Sequence, residues 1–183
     1  MTSRKQCVGL LPIGDIPDII LKTISAHILG YYNLDSVILE ARDYPEYAFD
    51  HRRLQFDAAA IIERLESDTL QGCTKIIGVI DSDIFHPVFT HVFGEARQEG
   101  KCALVSVKRL KKNPDGSLPP LSVVLERVAK VALHELGHLF SLVHCLEDHC
   151  LMRFAGSLEG LDGLRLSFCK YCAALLREAL GPS

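Results

Sequence analysis

Four histidines and two cysteines crowd into residues 131–152, VALHELGHLFSLVHCLEDHCLM, of a chain with eight histidines and seven cysteines. Imidazole and thiolate are the side chains that hold zinc most readily. His134 and His138 bracket the sequence His-Glu-Leu-Gly-His. On a helix that spacing puts both imidazoles on one face, where they can share one metal. Glu135 lies beside that face, placed to accept a proton from a metal-bound water. Zinc lowers the pKa of such a water toward ~7, so hydroxide is available at neutral pH. The chemistry expected of these residues is metal-assisted hydrolysis.

Two helical histidines leave a third position to fill. His144 follows His138 by six residues. In an unbroken helix it would stand about 240° round and about 9 Å further along, out of reach of the same metal. The helix must therefore end between them and the chain must turn back. Ser141 falls at that turn, where glycine is the usual left-handed residue and serine costs ~1 kcal/mol. His149, Glu147 and Asp148 are the other candidates for the third ligand.

The cysteines form a second constellation. Cys145 and Cys150 make a Cys-x4-Cys pair, and Cys169 and Cys172 a Cys-x2-Cys pair. Two short pairs bridged by a longer loop can wrap tetrahedrally around one zinc. Four thiolates leave no open position, so this zinc is expected to be structural. It would pin residues 145–168 to the C-terminal helix. Cys169 and Cys172 start that helix, where its dipole favours thiolate. Cys7, Cys73 and Cys102 lack such spacing and are expected in the core or on strands. His144 and Cys145 are adjacent, and successive side chains of an extended segment point to opposite sides. One peptide unit can then serve both metals, the thiolate zinc anchoring the third histidine.

A scaffold must position these groups, and the remaining sequence predicts one. Strands are expected at Gln6–Ile13, Val37–Ala41 and Lys75–Ile80, the last being apolar enough to be covered on both faces. Between them, Pro17–Gly30 reads as a helix capped by Asp15 and closed by Gly30, with Ile19, Ile20, Ile24, Ile28 and Leu29 at helical spacing. Phe56–Leu65 reads as a second helix, with Ala59, Ile62 and Leu65 inward. Alternating strands and helices favour right-handed crossovers and a largely parallel sheet. Val88–Ala96 and Cys102–Val107, joined by a short loop with Gly100, suggest an antiparallel hairpin. A long helix is expected from Leu121 to at least Phe140. Loop follows Cys145 until a final helix from about Ser167. The fold class is α/β (α+β): a twisted mixed sheet with N-terminal crossover helices, an active-site helix and a small zinc-stapled C-terminal part. One domain is expected over 1–183, with 1–144 as the α/β part and 145–183 as the zinc-bound part.

Composition narrows the function. The 183 residues can bury a sizeable core without disulfides. A net charge of −3 argues against a nucleic-acid partner, and no apolar run approaches the roughly 20 residues of a membrane span. The basic run Lys108, Arg109, Lys111, Lys112 reads as a solvated loop. The N-terminal residues carry a basic start, but Pro12 and Asp15 cut short the apolar run that a secretory signal needs. A cytoplasmic, monomeric protein with reduced cysteines is expected, and zinc before disulfides.

The run HELGHLFSLVHCLEDHCLM followed by CKYC resembles the archaemetzincins, a branch of the metzincin metallopeptidases. The likeness extends more loosely upstream through VFGEARQEGKCALVSVKRL. It implies that His134, His138 and His144 bind catalytic zinc, that Glu135 is the general base, and that the four cysteines bind a second zinc. Met152 would be the methionine of the Met-turn, packed beneath the zinc ligands. The likeness also implies hydrolysis of a peptide or protein substrate lying along the hairpin's edge strand. Two residues depart from the pattern: Ser141 replaces glycine, and Phe154 stands where some metzincins have tyrosine. The alternatives are a two-zinc binding or scaffold protein of the same fold, and a zinc hydrolase acting on something other than peptides.

Overall fold

A computed structural model describes residues 6–68 and 72–181; the basic start of the chain, residues 1–5, lies outside them. The main sheet has the order β2-β1-β5-β8-β7, built from β1 (Cys7–Ile13), β2 (Asp35–Ile38), β5 (Lys75–Ile80), β7 (Gly94–Ala96) and β8 (Cys102–Ser106). Strands β2, β1, β5 and β8 pair in parallel, and only β7 runs antiparallel, against β8. A small second sheet joins β3 (Phe49–Asp50), β4 (Gln55–Asp57) and β6 (Ile84–Phe85).

Side-chain alternation sorts the core into two layers. Leu10, Ile77, Val79, Ala103 and Val105 face one hydrophobic cluster, and Leu11, Ile13, Ile76, Ile80 and Leu104 face the other. The first layer is covered by α1 (Asp18–Tyr32) and α3 (Leu121–Leu139), the second by α2 (Ala58–Ser67). The expectation of a β5 covered on both faces is therefore met. Two further helices, α4 (Leu158–Gly163) and α5 (Lys170–Leu180), close the C-terminal end. No helix among the described residues is long and apolar enough to cross a membrane.

Several boundaries differ from the sequence reading, each for a tertiary reason. Helix α1 runs past Gly30 to Tyr32 and is closed by Asn33 in a left-handed conformation. Pro17, not Asp15, occupies its N-cap position, and no side chain caps it. Ile19 and Leu29 are exposed, since the face that meets the core is Ile20, Leu21, Ile24, Ile28 and Tyr32. Strand β2 is shorter and begins earlier than predicted, at Asp35. Helix α2 starts at Ala58 because Phe56 belongs to β4, paired with Ile84. Asp57 caps α2 through the Ala60 N–H, which turns Ala58 inward and Ala59 outward. Residues 88–93 are turn and loop apart from an isolated antiparallel bridge between Val92 and Ile84, so the hairpin is confined to β7 and β8. The basic run is not simply solvated: Arg109 pairs with Asp83, Lys111 with Asp81, and Leu110 is buried.

Candidate metal centres

Helix α3 presents His134 and His138 on one face, and its end delivers the third imidazole. Phe140 N–H bonds back to the Leu136 and Gly137 carbonyls, and Leu142 N–H reaches the Gly137 carbonyl. That last bond, spanning five residues, closes a Schellman turn, which needs a left-handed residue. Ser141 supplies it with φ of 68°. The chain reverses as the sequence required, and the His144 ring lies 5.2 Å from that of His134 and 4.8 Å from that of His138, centre to centre. His149 points elsewhere, its Nδ1 bonded to the Gly163 carbonyl.

The two helical imidazoles are fixed in one tautomer. His134 Nδ1 lies 2.8 Å from the Leu151 carbonyl oxygen, and His138 Nδ1 lies 2.8 Å from that of Leu142. A carbonyl only accepts, so each Nδ1 carries the hydrogen and each Nε2 keeps a bare lone pair. The two Nε2 atoms nonetheless face each other at 3.1 Å. Two lone pairs at that distance repel unless a cation lies between them. Tetrahedral zinc with Zn–N near 2.0–2.1 Å sets its nitrogens about 3.3 Å apart, close to this separation. The ligand atoms of His134, His138 and His144 all lie within 4.8 Å of one another. Burial holds all three imidazoles below their usual pKa, His134 down to about 3 with further repulsion from His138. They are kept as neutral ligands.

The cysteine cluster passes the same test. Cys145, Cys150, Cys169 and Cys172 bring their sulfurs within 4.8 Å of one another. Cys145 Sγ and Cys169 Sγ are 3.8 Å apart, about what tetrahedral Zn–S bonds of ~2.3 Å require. Cys169 caps α5, accepting from the Cys172 N–H. Burial pushes its thiol up, but that bond and the neighbouring thiols outweigh it and draw the pKa down. By contrast, burial pushes Cys102 and Cys73 up to about 12. These two are core residues as expected; Cys7 is partly buried, its sulfur 3.0 Å from that of Cys73.

One short segment joins the two clusters. Cys145 N–H donates to the Met152 carbonyl at 2.8 Å, so 144–145 lies against 150–152. Those three residues contribute Cys150 to one cluster, the Leu151 carbonyl to His134 of the other, and Met152 to the packing against Gly137. Met152 is fully buried against Gly137: a Cβ there would sit 2.6 Å from its sulfur.

Glu135 is buried beside its histidine neighbour, under Gly94 of β7, where a Cβ would fall 2.6 Å from its side chain. Its carboxyl is held well above the usual range by burial and then by Glu95. Burial also raises Glu95. Glu95, Gly94 and Phe89 escaped the sequence reading. They reach the site through β7 and its preceding loop, and nothing in their local pattern marks them. Phe154 stacks against Phe89 at 5.9 Å and meets His144 edge-on at 5.4 Å. It offers no hydroxyl to the site.

The chain matches the family model for Peptidase family M54 over residues 32–178. It belongs to that family, the archaemetzincins. The archaemetzincin of Haloquadratum walsbyi is 35% identical over 172 residues, covering 92% of this chain and 98% of that one. That of Methanocaldococcus jannaschii is 34% identical over 171 residues, covering 93% of each. Among solved structures, archaemetzincin from Methanopyrus kandleri superposes with a TM-score of 0.86 at 32% identity, covering 98% of both chains. That from Archaeoglobus fulgidus, complexed with malonate, gives 0.80 at 28% identity over 93% of this chain and 99% of that one. The α/β fold and the resemblance read from the sequence are thus established, and the chain is a zinc metallopeptidase.

Proposed function

We propose that this archaemetzincin cleaves peptide bonds at a zinc held by His134, His138 and His144, and that a second, structural zinc is held by Cys145, Cys150, Cys169 and Cys172. The observation that carries the reading is the pair of Nε2 lone pairs facing each other at 3.1 Å with both Nδ1 hydrogens spent on carbonyls. When bound there, zinc supplies a Lewis acid that polarises a carbonyl and makes water reactive at neutral pH. Glu135 takes a proton from the attacking water and returns it to the departing amine. The open edge of β7, antiparallel to β8 on its other side, offers backbone groups to an extended peptide. Met152 supports the imidazoles from below as the methionine of the Met-turn.

The cysteine zinc has no open position and holds the C-terminal segment to the active-site helix. A continuous hydrophobic cluster linking α1, α3 and residues up to Leu176 supports reading the chain as one domain. Thiolate ligands need a reducing compartment, which supports placement in the cytoplasm. We read the protein as a monomer acting without nucleic acid or membrane.

Metal analysis of the wild type, His134→Ala and Cys169→Ala tests the two sites. Two zincs in the first and one in each variant is the expected result; one zinc retained in all three would overturn it. A peptide-library digest should show cleavage by the wild type that disappears in Glu135→Ala.

A further inference from the structure

The cavity before the three imidazoles has a volume of about 680 Å³ and is lined by His134, Val131 and Lys130 along α3. Lys130 stands one helical turn before His134, roughly 6 Å nearer the start of the helix. Leu161, whose carbonyl Lys130 meets, lines the same cavity, as do Leu151 and Leu164. Lysine is among the residues least often buried completely, yet Lys130 is 2% exposed. The other long cation of the cavity, Arg153, is half-buried and paired with Asp148.

The partners of Lys130 are unequal. Its Nζ meets Glu126 Oε1 at 2.7 Å, but that carboxylate is half in solvent. The remaining bonds go to the carbonyl oxygens of Leu161 and Asp162, at 3.3 and 3.4 Å. Both exceed the usual 2.7–3.2 Å of an N–H···O bond. Two donors of a desolvated ammonium are therefore loosely engaged, against α4, whose Leu161 also lines the cavity.

We propose that Lys130 is a specificity-determining residue, selecting a glutamate side chain on one of the two residues flanking the scissile bond. The inference rests on the peptidase reading above. A carboxylate entering the cavity exchanges two long bonds to neutral carbonyls for bonds to a charged acceptor. The ammonium is already stripped of water in the free protein, so the substrate alone is desolvated on binding. Glutamate reaches further than aspartate toward an ammonium that bonds Glu126, on the turn of the helix beyond Lys130 from the imidazoles. Because the contact exists before and during reaction, it acts on KM more than on kcat.

The test begins with a peptide-library digest by the zinc-loaded full chain. Glutamate is expected at one flanking position roughly tenfold above glutamine or leucine, the ratio a charge-assisted contact supplies. Lys130→Met, which keeps the stem, should abolish that preference through KM while cleavage after or before leucine persists. Glu126→Gln, which leaves Lys130 in place and removes its competitor, should sharpen the preference; it decides the matter if Lys130→Met does not fold. Cleavage with no acidic enrichment, or equal loss on all peptides in Lys130→Met, overturns the proposal. Binding is measured separately in the Glu135→Ala background, with two peptide pools identical except that glutamate in one replaces glutamine in the other. Tighter retention of the glutamate pool, lost on adding Lys130→Met, supports the pocket even if the wild type cleaves nothing, in which case the peptidase reading alone fails. Equal retention, or none, overturns the pocket.

Discussion

Glu135 and Gly137 show how closely single residues are constrained on the active-site helix. Glu135→Gln keeps the side-chain volume under Gly94 and removes the proton acceptor. Turnover should fall by roughly 10²–10⁴-fold with both metals retained, as seen by peptide assay and metal analysis on one sample. Gly137→Ala would set a Cβ 2.6 Å from the Met152 sulfur. The buried methionine must then shift, at a cost of about 1–3 kcal/mol in a denaturant titration. Ser141 carries a smaller penalty for its left-handed backbone. Ser141→Gly should raise stability by at most ~1 kcal/mol, because glycine's greater freedom in the unfolded chain offsets part of the relief. The sequence exposed the histidines because helical spacing is local arithmetic, and the turn at Ser141 followed from the same arithmetic. Glu95 and the environment of Lys130 were not visible that way, since β7 and α4 bring the relevant groups together from distant segments.

At the level of elements, residues 150–152 act as a shared floor. They carry a cysteine of one cluster, the carbonyl that orients His134, and the methionine under Gly137. Cys150→Ser should therefore release the cysteine metal and also weaken the histidine metal by about 10–100-fold, the usual effect of losing an orienting partner. Chelator competition measures both affinities; an unchanged histidine site would separate the two centres. The adjacency of His144 and Cys145 suggests this coupling from sequence alone, whereas the Cys145–Met152 backbone bond that supports it joins residues whose pairing no local pattern marks. Helix α4 escaped notice because it is six residues long and contains Gly160 and Gly163, poor helix formers whose turn is held by Ser157 capping Gly160 and by docking. Helical spacing alone starts α2 too early, because Phe56 is drawn into β4 by a partner, Ile84, that is distant in sequence.

For the whole molecule, the imidazole cluster ties stability to acidity. Unfolded histidines take up protons near pH 6.5. In the folded, metal-free chain His134 resists protonation down to about 3, chiefly through burial. The unfolded state thus binds more protons in that window, and stability falls as pH drops from about 6.5 toward about 3. Chelator-treated protein should lose Tm between pH 7 and 5, and His134→Asn should flatten the slope; a Tm indifferent to pH would contradict this. The chain order has one more consequence. Among the described residues every strand precedes residue 107, and every proposed metal ligand follows residue 133. During synthesis the sheet residues therefore all leave the ribosome before the first of the proposed ligand imidazoles, His134, emerges. Zinc capture becomes a closing event of biogenesis, and a chain truncated before Cys169 would hold a finished sheet while unable to lock its last loop.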